Sequence, residues 1–161
     1  MSCLGVHFSM PADHGGPLWD GDDAARAFVA ELEETWDTDY LQQTDKAWDP
    51  IHRCLTDGTF GWCPEAWPLN GAILGDDPLY TRDDYIIQHL TATEVVEVAD
   101  ALDPLTQEWF RARFLGLPGH GYQDATDEDA FDYTWYWFER MRAFFRKTAD
   151  EGRAMLFTAD Q

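Results

Sequence analysis

Apolar runs along the chain are short, separated by acidic, glycine-rich and proline-rich breaks, and their spacing predicts the elements. Residues 3–9, CLGVHFS, stop at Met10-Pro11 and predict a strand with Cys3, Gly5 and His7 on one face and Leu4, Val6 and Phe8 on the other. Residues 11–21 predict a loop. Ala25, Phe28, Val29, Leu32 and Trp36 recur at three and four and predict a helix over 22–36, with Asp22 and Asp23 suited to its positive end. Residues 37–43 read as a connection. Thr44 then reads as the N-cap of a helix to about Leu55, with Trp48, Ile51, His52 and Leu55 on one face. Pro50 either kinks that helix or begins a new one after Asp49.

Residues 58–68 carry Phe60, Trp62 and Trp67 and read as an irregular aromatic loop. LNGAILG, 69–75, is a short apolar element of open type, and 76–84 an acidic loop. YIIQHL, 85–90, predicts a strand, and Thr91 with Glu94 the capping box of a helix over 93–102. A further helix ends near Leu115. The longest runs over 127–151, with Phe131, Trp135, Phe138 and Phe145 in one stripe and Trp137, Met141 and Phe144 in a second. Residues 153–160 predict a last strand. Three or four strands alternating with helices predict one domain over 1–161 of the mixed α/β (α+β) class, a small mixed β-sheet covered by several helices.

In order along the chain, CLGVHFSM, DKAW, LNGAILG, LTATEVVEVADAL and KTADEGRAMLF resemble the YfbM-like family of small bacterial domains of unknown function. The resemblance spans most of the chain. It implies a layered α/β fold in the bacterial cytoplasm and no established activity, so it transfers no catalytic residue. Pro50 and the tryptophan-rich stretch 60–67 depart from the family pattern.

Charge changes the picture next. The 161 residues hold 31 Asp and Glu against 11 Lys and Arg, a formal net charge of -20. Phosphate contacts would be repulsive, which excludes an electrostatically driven nucleic-acid-binding domain, and docking on anionic membranes is disfavoured for the same reason. No apolar run approaches a membrane span, and the first residues carry no export-signal pattern, so a cytoplasmic location is expected. Three cysteines, Cys3, Cys54 and Cys63, fit free thiols in a reducing compartment. His52, Cys54 and Cys63 supply three ligands where structural zinc needs four, so neither metal nor cofactor is expected.

Candidate chemistry centres on the DKAW segment. Asp45, Trp48, Asp49 and His52 stand at i, i+3, i+4 and i+7, one side of a helix if the segment is helical throughout. A carboxylate beside an imidazole can orient it as a general base, and His7 could join from the first strand. The same pattern equally describes a buried histidine satisfied by a neighbour. Trp48, Trp62 and Trp67 are candidates for a binding surface rimmed by acid. Three functions stay open: a non-catalytic acidic module binding a basic protein partner, in the manner of an immunity protein; a small enzyme or ligand binder using His52 with Asp45 or Asp49, which His7 could join; and a homo-oligomer joined through the helix at 127–151.

Overall fold

GVHFSM alternates two sets of side chains and both are buried, so β1 (Gly5–Met10) is covered on each face. In the computed structural model, which describes residues 4–13, 20–76, 78–82, 84–119 and 126–160, β1 lies in a sheet with β2 (Leu41–Asp45), β3 (Tyr80–Arg82), β4 (Tyr85–Leu90) and β5 (Ala154–Asp160). The strand order is β2-β1-β5-β4-β3 and each neighbouring pair runs antiparallel. Helix α1 (Asp22–Thr35) covers one face, where Ala25 and Val29 meet Val6, Phe8, Met10, Ile87 and Leu156. Helices α2 (Trp48–Leu55), α3 (Ala92–Leu102), α4 (Gln107–Leu115) and α5 (Asp127–Asp150) cover the other.

The larger core lies on that second face. Phe131, Phe138, Met141, Phe144 and Phe145 of α5 are buried among residues of α2, α3, α4 and the sheet. The Phe110 and Phe138 rings stand 4.6 Å apart, and Trp135 is 5.2 Å from Phe138. Offset aromatic pairs at such spacings contribute beyond the area they bury. Both aromatic stripes of α5 are therefore occupied inside this chain, and its exposed Tyr136 is covered by Arg140 at 3.4 Å. Arg146 ties α5 to α3 through Asp100 and Asp103.

The fold class is that read from the pattern, with two strands added. Residues 41–45, expected as a connection and a cap, form β2. Gln42 and Gln43 are half-buried at the sheet edge while Leu41 and Thr44 are buried, so the strand carries no simple alternation. Asp45, with φ 48, ends it. Thr44 is thus a strand residue rather than an N-cap, and α2 starts at Trp48 after Ala47. Pro50 falls in the first turn of a continuous α2, where its missing N–H has no carbonyl to meet, so neither a break nor a restart follows. The acidic stretch 76–84 holds β3, three residues paired with β4 through Tyr80↔Ile87, Thr81↔Ile86 and Arg82↔Tyr85. LNGAILG begins as a 3-10 turn, Leu69–Ala72. The sheet expected as mixed is antiparallel in every pairing, because β5 returns from α5 between β1 and β4 against both. The capping box of α3 forms, with Thr91 Oγ1 accepting from Glu94 N and Glu94 Oε2 from Thr91 N. Cys3, Asp83 and residues 120–125 lie outside the described residues. Among those described, no helix is long and apolar enough to cross a membrane.

Candidate functional site

The predicted His–carboxylate constellation divides among four partners. Asp45 closes β2 and is not on α2. Its carboxylate accepts from the Tyr133 phenol, which burial and then this carboxylate push up to about 12. Asp49 pairs with Arg53 one turn on, at 2.6 Å. His52 is fully buried, and its Nε2–H donates to the carbonyl of Gly61 at 2.8 Å. Burial holds the imidazole below its ordinary range, against the smaller opposing pull of that carbonyl and of Asp49. His7, also fully buried, donates from Nε2 to the Ala72 carbonyl at 2.7 Å and lies against Phe157 and Phe145. Its pKa is lowered to about 4 by burial. Both rings are neutral and their Nε2 protons are committed to backbone carbonyls.

Those commitments brace a loop. With His52 gripping Gly61, the residues after α2 are pinned at their midpoint. Trp48, 4% exposed, meets the Phe60 ring at 6.0 Å, and the Arg53 guanidinium stands 5.7 Å from the same ring. Asp57 accepts from the amide and the hydroxyl of Thr59 at 3.0 and 2.7 Å. These contacts leave Phe60 46% and Trp62 43% exposed, two large aromatic rings held outward on a fixed segment.

Across from them stands the β3–β4 hairpin. The space between is a cleft of about 470 Å³, lined by Phe60, Gly61, Trp62, Leu74, Thr81, Asp84, Tyr85 and Ile86. Asp84, with φ 58, is one of the lining residues, and Arg82 is drawn off to Asp22 at 3.1 Å. Leu74 and Ile86 belong to the core beneath. An open slot with aromatic rings on one side and a carboxylate on the other suits a cation with an apolar stem.

Of the three tryptophans named from the sequence, Trp62 lines this cleft and Trp48 supports it from below. Trp67 is elsewhere, donating from its indole N–H to Glu97 at 2.9 Å. Thr81, Asp84 and Tyr85 were missed as site residues. Their signal was a strand preceded by turn-forming acids, the mark of a hairpin. Cys54 and Cys63 are buried free thiols, that of Cys54 pushed up to about 12 by burial. Among the described residues no three His, Cys, Asp or Glu side chains gather as a metal-binding group.

Among the described residues, a five-stranded antiparallel sheet with one α-helix on one face and four on the other makes this a small α/β domain. The chain belongs to the DUF1877 family, described as a domain of unknown function, whose model matches residues 1–158. Its fold is similar to the crystal structure of YfbM from Escherichia coli, a protein of unknown function, at a TM-score of 0.63 and 18% identity, covering 97% of this chain and 99% of that one. No curated protein matches the chain.

Proposed function

We propose that this protein is a non-catalytic binding module that takes a basic segment of a protein partner into the cleft between Phe60–Trp62 and the β3–β4 hairpin. The observation that carries this reading is the pair of exposed aromatic rings on a loop pinned by a fully buried histidine. Exposed aromatics at a rigid site cost little ordering on binding and are typical anchors of interfaces. Charge gives the partner its sign. A chain at -20 attracts cations from a distance, and Asp84 sets a negative group within the slot. Covering a basic protein's working surface, as an immunity protein does, is a use this charge and these rings fit. His52 enters as a brace and not as a base, because its ring is buried and its Nε2 proton is held by Gly61.

Titration of the full chain with an arginine- and lysine-rich peptide, followed by calorimetry, tests the reading. Binding is expected to be saturable, and to weaken as ionic strength rises from about 0.05 to 0.5 M. Trp62→Ala should weaken it about tenfold, the range of one lost aromatic–cation contact. A neutral peptide of equal length binding as well, or Trp62→Ala binding unchanged, would overturn it.

A further inference from the structure

We propose that a second, smaller cleft further along the β3–β4 edge binds a guanidinium group. It lies about 7 Å along β4 from the first, the distance from Ile86 to Gln88 at the rise of a strand. Its volume is about 260 Å³, enough for several waters or one small cationic head. Trp67, Asp76, Gln88, His89 and Glu94 are among the residues lining it.

Gln88 points to a ligand. Its side chain is on β4, the residue is 5% exposed, and its amide N–H donates to the His89 carbonyl at 3.3 Å. Its Oε1 is buried and has no hydrogen-bond partner. Buried acceptors are nearly always satisfied, so one left open beside a cleft calls for a donor. Gly75, at φ 66, packs so closely on the Gln88 amide that a Cβ there would overlap the side chain. Asp76, Glu94 and Trp67 line the same cleft, with His89 and Thr91 beside them. Asp76 is held by the Asn70 amide, and Glu94 by the amide of Thr91. The Trp67 indole is anchored through its N–H to Glu97.

A carbonyl oxygen, two carboxylates and an indole call for a cation with several N–H donors and a flat face. Guanidinium has both, and is less strongly hydrated than an ammonium ion. The group could arrive on an arginine side chain of a partner or as a free small guanidine. This cleft can bind while the Phe60–Trp62 cleft does not, and the reverse, since they share no lining residue.

The test is a titration of the full chain with methylguanidinium, with a glycine-flanked single-arginine peptide and with its lysine counterpart. The Gln88 side-chain amide and the Trp67 indole are followed by NMR. Saturable shifts are expected with both guanidinium compounds. An arginine peptide binding tenfold tighter than methylguanidinium assigns the group to a partner's side chain, and equal affinity assigns it to a free guanidine. In Gln88→Met, which lacks the first reporter, the Trp67 indole shift should vanish. Asp76→Asn, which removes the charge and keeps an acceptor oxygen for the buried Asn70 amide, should weaken binding about tenfold, and Trp62→Ala should leave it intact. Absence of saturable shifts, equal response to the lysine peptide, or unchanged binding in Asp76→Asn would overturn the proposal.

Discussion

Two histidines carry no charge in this protein, and each fixes a segment by one hydrogen bond. His7 ties β1 to the turn at Ala72, and His52 ties α2 to the loop at Gly61. The sequence marked both as chemically interesting but could not show their partners, which lie on irregular backbone 65 and 9 residues away. Periodicity reports which face a residue occupies and is silent about a loop carbonyl. His52→Ala is therefore expected to destabilise the fold by about 2 to 4 kcal/mol, from the lost ring and the orphaned carbonyl. Asp49→Asn, at a half-exposed ion pair, should cost under about 1 kcal/mol. Urea unfolding of the two variants separates the roles. His7 also makes stability depend on pH. Its folded pKa of about 4 lies below the unfolded 6.5, so unfolding takes up a proton between those values. Stability present above 6.5 is lost as pH falls toward 4. The loss should reach about 2 kcal/mol between pH 6.5 and 5, and His52 adds in the same direction. His7→Gln should show a flatter pH profile than the parent, with the carboxylate contribution cancelling in the comparison.

At the scale of elements, long periodic segments were legible and short polar ones were not. α1, α3, α5, β1, β4 and β5 follow from apolar spacing or from the Thr91–Glu94 cap. β2 and β3 sit at the two edges of the sheet. Edge strands can expose one side and carry polar residues, so LQQTD and YTR leave no pattern of period two. The first cleft was half legible for the same reason: Trp62 stood out by composition, while Thr81 and Asp84 belong to the unrecognised hairpin. The junction of β1, β2 and α2 is tight at Gly5. A Cβ there would lie 2.6 Å from Thr44 Oγ1 and 2.9 Å from Trp48. Gly5→Ala is expected to cost about 1 to 3 kcal/mol by overpacking, read as a lowered urea midpoint. Thr91→Ala, which removes the α3 cap, should cost about 1 kcal/mol.

At the scale of the whole molecule, 31 acidic against 11 basic residues leave a net charge of -20, and the helices and sheet hold together against that excess repulsion. Salt should therefore stabilise the protein. Raising ionic strength from about 0.02 to 0.2 M should raise Tm, while the same change weakens binding of a basic partner. The most direct measurement is an NMR titration of the full chain with the arginine- and lysine-rich peptide, mapped residue by residue. The account predicts that the largest shifts fall on Phe60, Gly61, Trp62, Thr81 and Asp84–Ile86. Shifts centred instead on the outer face of α5 around Tyr136, or none at saturating peptide, would contradict it.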